Sequence, residues 1–69
     1  MIFYDKNGNE LKVGNHIVPS EGRELVIVSV GRVDEYEDEV MFGQQVEDMS
    51  CFSILTAENL AAQWTKKEG

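Results

Sequence analysis

The segment 23–33 concentrates β-branched apolar residues as no other part of this chain does. Branching at Cβ crowds a helix but suits the pleated surface of a sheet, so the segment reads as a strand, and as the central one. Leu25, Ile27 and Ser29 fall on one face and Val26, Val28 and Val30 on the other, which leaves both faces largely apolar. A strand of that kind is covered on both sides. In a short chain this implies a curled sheet with a helix or a second subunit on its outer side. Gly31 interrupts the run and is the candidate for a bulge or sharp coil.

Length sharpens the constraint. The 69 residues make one domain, and a chain this short buries only about 60% of the surface that its unfolded form exposes. A core of that size supplies about 3 to 5 kcal/mol, and small folds commonly add disulfides, a metal or a partner subunit. One cysteine, Cys51, excludes an internal disulfide, and one histidine, His16, leaves too few ligands for zinc. Self-association or economy of fold remains. Cys51 reads as a small core residue rather than a nucleophile. At 42% hydrophobic residues the chain is too apolar for intrinsic disorder despite its net charge of -7. It has neither a basic amino-terminal region nor an apolar run near the roughly 20 residues of a membrane span, so a reducing, cytoplasmic location is expected.

The charge is distributed unevenly. Residues 1–32 hold four acids and four bases, whereas residues 33–64 hold eight acids and neither Lys nor Arg. Phosphate binding rests on clustered Lys and Arg, so DNA or RNA is not expected as a partner.

In chain order, Ile2, Phe3 and Tyr4 are expected to pair with residues 10–12 across Asn7-Gly8, whose residues suit a type I′ hairpin turn. Val13, Gly14 and Asn15 mark a second bend. An extended piece follows at residues 16–18 and ends at Pro19, which has no N–H for a ladder. Residues 20–22 read as a turn before the central strand. Residues 34–39 carry five acids in six positions and form the tip of a hairpin whose return strand is 40–46. A last strand over 49–55 places Phe52 and Ile54 inward. The period then changes: Thr56 is a plausible N-cap, Glu58 suits the first turn, and Lys66 and Lys67 suit the last. Ala57, Leu60, Ala61 and Trp64 share a helical face, which predicts a helix over 57–66 with Trp64 anchoring it on the sheet.

The spacing Asp5-x-x-Gly8-x-x-Leu11-x-Val13-Gly14-x-x-Ile17-Val18 resembles the opening of small bacterial and prophage-borne SH3-like barrel proteins. Asn15 stands where those proteins commonly have Asp. The segment 55–60, with Leu55, Thr56, Glu58, Asn59 and Leu60, is similar to their terminal turn or helix. The resemblance implies a small, partly open SH3-like barrel of about five strands with a C-terminal helix. It speaks to fold. Ribosome- or polymerase-binding barrels of the KOW type carry a different glycine signature and basic loops, and peptide-binding SH3 domains carry a cluster of aromatics that this chain lacks.

Candidate chemistry is sparse. Residues 34–39 lack the spaced acid pattern and distal Glu of a calcium loop, so a solvated hairpin tip is the favoured reading. No nucleophile and base stand in an evident pairing, and His16 reads as an ordinary edge residue. The glycines are scattered over expected turns and bends, which leaves no phosphate-cradling loop. Gln44 and Gln45 face water, and Trp64 joins the core. The chain is therefore expected to be a non-enzymatic interaction or accessory protein, phage- or mobile-element-borne, without cofactor or metal. Its partner-binding residues would be Asp34, Glu35, Tyr36, Glu37, Asp38 and Glu39, offered to a basic protein. Mimicry of DNA phosphates is an extreme form of that reading. Homo-oligomerisation through an exposed edge or apolar outer face is the alternative.

Overall fold

In the computed structural model, which describes residues 1–67, the amino-terminal run forms β1 (Phe3–Tyr4) against β2 (Glu10–Leu11), with Phe3 opposite Leu11. The loop between them is not the expected type I′ turn, because only Gly8 has positive φ, +83°, and Asn7 does not. Gly8 N–H donates to the Asp5 carbonyl at 3.1 Å and Asp5 N–H to that of Asn9 at 2.9 Å. This is a three-residue loop closed by a left-handed glycine. The second bend lies where the sequence places it, with Asn15 N–H donating to the Lys12 carbonyl at 3.0 Å.

Five strands then form one antiparallel sheet: β3 (His16–Pro19), β4 (Leu25–Gly31), β5 (Val40–Gln45), β6 (Phe52–Leu55) and β7 (Trp64–Lys66), in the spatial order β6-β5-β4-β3-β7. The described chain is thus mainly β with one short helix, α1 (Ala57–Gln63), near its end. The strand expected to be central is central. Its irregularity, however, lies between Ile27 and Ser29 rather than at Gly31, which pairs regularly with Val40. At this bulge two residues face one of β5, so the inward phase set by Leu25 and Ile27 is lost and Val28, Ser29 and Val30 are exposed.

The core comprises Phe3, Leu11, Ile17, Leu25, Ile27, Met41, Leu55 and Leu60, with Ala57 and Trp64 packed against it. Phe52 and Ile54, expected inward, are 63% and 45% exposed. The register pairs Leu55 with buried Met41, and alternation along β6 then turns Ile54 and Phe52 outward. Cys51, expected in the core, is only half-buried and precedes β6.

Gly43 stands inside β5, not at a turn, opposite Ile27 and Ser53. A Cβ there would lie 2.9 Å from Leu25 Cδ1 and 3.0 Å from Leu55 Cδ1. Both leucines are fully packed, so Gly43→Val is expected to cost about 1 to 3 kcal/mol through overpacking. Urea denaturation checks this, and an unchanged midpoint would show that the leucines have room to yield.

The helix begins as expected, with Thr56 Oγ1 accepting from Asn59 N–H at 3.1 Å. It ends three residues early. Trp64 leaves the helix at φ −111° and ψ 144°, and Trp64, Thr65 and Lys66 pair with Pro19, Val18 and Ile17. The free flank of β3 offers ladder partners that a further helical turn would forgo. Lys66 and Lys67 therefore do not cap α1, and Ala61 is exposed, leaving Leu60 as the helix's buried residue. The helix packs on β1 and β7 and leaves the outer face of β4, β5 and β6 uncovered.

Asp5 closes the structure. It is 2% exposed. Its Oδ1 accepts from the N–H groups of Asn7 at 2.9 Å and Asn9 at 2.8 Å, and its Oδ2 from Lys66 N–H at 2.8 Å and Asn9 Nδ2 at 3.2 Å. Beside it Lys6 N–H donates to the Trp64 carbonyl at 2.9 Å. One carboxylate thus shapes the first hairpin and ties it to β7. Burial pushes its pKa up, but the hydrogen bonds from Lys66, Asn9 and Asn7 outweigh this and hold it below the usual carboxylate value.

Candidate functional site

The loop joining β4 to β5 holds the six residues singled out from the sequence. Tyr36 N–H donates to the Val33 carbonyl at 3.1 Å, and Arg32 reaches across to donate to the Glu37 carbonyl at 2.7 Å. That contact is to backbone, so the guanidinium braces the loop without engaging a carboxylate. Among the described residues, none of the five loop acids pairs with a Lys or Arg side chain; Glu39 Oε1 lies 3.0 Å from the Met1 nitrogen.

The fold divides these residues between two hollows. Glu35, Tyr36, Glu37, Asp38 and Glu39 line a cleft of about 390 Å³ whose other wall is the start of α1, including Ala57 and Glu58. Asp34 turns to the far side, where it borders a second hollow with Arg32, Val33 and Ile54, and Glu35 stands between the two. Glu58 was legible only as a first-turn acid of a helix. That the helix start lies against the β4–β5 loop, adding a fifth carboxylate to one cleft, is a tertiary fact without a local sequence signal. Tyr36 is 38% exposed at the rim and provides an aromatic ring among the acids.

A third hollow, of about 520 Å³, is bordered by Asn15, His16, Glu24, Val46 and Lys67. His16, without an evident partner in the sequence, has Nδ1 2.7 Å from Glu24 Oε2, and Lys67 Nζ donates to Glu24 Oε1 at 2.9 Å. Those two hydrogen bonds, the Lys67 one foremost, hold the Glu24 carboxyl below its ordinary pKa. Cys51 is engaged elsewhere: its Sγ lies 3.3 Å from Asp48 Oδ2. Asp48 also accepts from the Ser50 hydroxyl at 2.6 Å, the main cause of its lowered pKa. Each of the two sulfur and imidazole side chains therefore has a carboxylate partner of its own. Arg23 pairs with Glu47 across the neighbouring turn.

Among the described residues, no group of three or more His, Cys, Asp or Glu is placed to hold a metal ion, and no helix is long and apolar enough to cross a membrane. Comparison with protein-family models, with curated proteins and with solved structures finds no match to this chain.

Proposed function

We propose that this protein is a non-enzymatic interaction module whose acidic cleft receives a Lys- or Arg-rich segment of a partner protein. The observation that carries the reading is the cleft itself, where Glu35, Glu37, Asp38, Glu39 and Glu58 converge with no Lys, Arg or His among the lining residues and the Met1 ammonium paired with Glu39. An isolated acidic tip would be a solvated surface. A concave arrangement, with Tyr36 at its rim, gives a cationic side chain both a field and a ring face to lie against. The fold is compatible with such a role: a bulged five-stranded sheet with the β1–β2 hairpin and α1 beside it; a small, partly open SH3-like barrel is part of the reading proposed. The resemblance over residues 5–18 and 55–60 supports the same fold and a mobile-element origin. A basic protein segment fits better than nucleic acid, whose phosphates these carboxylates would repel.

The test is a titration with an oligolysine or oligoarginine peptide at low ionic strength. Replacing Glu35, Glu37, Asp38, Glu39 and Glu58 by Asn or Gln is expected to weaken binding at least tenfold, since several surface charges of about 0.2 to 1 kcal/mol each are removed. Raising salt from 0.01 to 0.1 M, which shortens the Debye length from about 30 to about 10 Å, should weaken wild-type binding as well. Equal binding by the neutralised variant sinks the proposal.

A further inference from the structure

Among the described residues the outer face of β4, β5 and β6 is unpartnered and mostly apolar, and at Ile54 it meets a hollow bordered by Arg32, Asp34 and Glu35. Val26 and Gln44 stand beside Phe52 in one cross-strand row, and Ser29 and Phe42 beside Ile54 in the next. None of these six residues is charged, on a chain whose net charge is -7. Phe52 and Ile54 lie on an edge strand, and β6, though short, carries no Lys, no Pro and no bulge to protect that edge. The described helix, α1, packs chiefly on β1 and β7, and Val28 and Val30 of the central strand stay exposed.

We propose that a second copy of this chain docks on that edge, β6 against β6, in a two-fold symmetric dimer. The hydrogen-bond pattern of the sheet selects the register. Gln45 N–H donates to the Cys51 carbonyl at 3.0 Å. Alternation along the antiparallel ladder then turns the backbone groups of Ser53 and Leu55 toward β5 and those of Phe52 and Ile54 toward the open edge. Antiparallel partners must also share a face, which requires residues of equal parity to stand opposite each other. A two-fold axis beside Ser53 meets both conditions. It sets Phe52 opposite the partner's Ile54 and Ile54 opposite the partner's Phe52, as hydrogen-bonded pairs, and joins their side chains in one apolar cluster on the outer face.

Charge decides the occupant. Two copies repel each other over their acidic surfaces, and the uncharged rows of the β4–β6 face, away from the hollow at Ile54, are where they approach at the lowest electrostatic cost. A basic partner is drawn to the acidic cleft instead. Edge pairing of four-residue strands makes a small interface, of the class below about 1,200 Å², so a weak dimer is expected. Its salt dependence is opposite to that of the cleft: screening relieves repulsion between two anionic copies and strengthens the association.

Sedimentation equilibrium of the full chain, from micromolar to millimolar concentration, reads the proposal independently of peptide binding. The apparent mass should rise to twice that of the monomer, at lower concentration in 0.1 M than in 0.01 M salt. The exposed pair Phe52→Lys and Ile54→Lys should keep the mass at that of the monomer, and Val13→Lys, at a site 56% exposed and away from β6, should leave dimerisation unchanged. Concentration-dependent amide shifts of the wild type provide a reading that needs no variant, and they should centre on residues 52–54. A monomer at millimolar concentration overturns the proposal, as does a dimer that survives both lysines, weakens with salt or shifts amides elsewhere. Failure here leaves the acidic cleft untouched, since oligolysine binding is measured separately.

Discussion

Asp5→Ala is expected to lower stability by about 3 kcal/mol, on the scale of about 1.5 to 3 kcal/mol for each hydrogen bond to a charged group, discounted because the turn amides can reach water. The substitution strips an acceptor from the N–H groups of Asn7, Asn9 and Lys66 at once. A domain of this size has about 3 to 5 kcal/mol in hand from its core, so only about 0 to 2 kcal/mol should be left in the variant. Urea denaturation gives the measurement, and a loss below about 1 kcal/mol, the worth of one ordinary hydrogen bond, would refute the clamp. Asp5→Asn separates charge from shape. One amide oxygen can keep the turn, but the NH2 group then faces Lys66 N–H, so β7 is the part released.

The same carboxylate sets an acid limb. Its folded pKa is lowered, so the stability it contributes is complete above the unfolded value of about 3.9 and disappears as pH falls from there through the folded value. Above pH 5 Asp5 contributes no slope. In Asp5→Asn the part of the acid limb due to this residue should be missing, and an unchanged difference between wild type and variant from pH 6 to pH 2 would contradict the assignment.

Leu60→Ala has the second large effect, about 2 to 5 kcal/mol. Leu60 is 0% exposed and is the buried residue of α1. Alanine is the better helix former, so the loss is one of packing and not of helix propensity. A helix of seven residues cannot persist without that contact, because helices under about 12 residues are marginal in water. Trp64 reports the event: its indole N–H donates to Asn59 Oδ1 at 2.9 Å and it is the sole tryptophan. Its emission should shift to the red in Leu60→Ala while Ala62→Ser, on the exposed side, leaves it unchanged. An unshifted emission at native-like stability would mean that α1 is held by something other than Leu60.

Local pattern foretold the elements whose causes are local. The β-branched run at residues 25–30, the bend at Gly14 and the Thr56 cap all depend on neighbours within a few positions. The acidic loop was legible because five charges in six residues have no place in a core. What stayed hidden depends on distant partners or on missing phase. Strand β7 looks helical because Leu60, Ala61 and Trp64 are spaced helically, and its true partners, Ile17, Val18 and Pro19, lie more than forty residues away. The bulge at Val28 falls in a run where apolar residues on both sides of the strand leave no alternation to break. Phe52 and Ile54 were assigned inward by hydrophobicity alone, and the register with β5 reverses them. Asp5 had a partial signal: an acid two residues before Asn7 in a turn suits an Asx turn. Its bond to Lys66 had none.

The clamp at Asp5 also governs how far this protein can assemble. A β-sheet has two flanks, and a chain with both of them open can add copies at each end without limit. Here the β7 flank is occupied, because the Asp5 carboxylate and Lys6 N–H take up Lys66 N–H and the Trp64 carbonyl. Only the β6 flank is left to bond, which gives the sheet a valence of one. In the proposed dimer, association at that flank would end in a pair, and Asp5, by taking up Lys66 N–H on the opposite flank, would keep that pair from growing into a fibre.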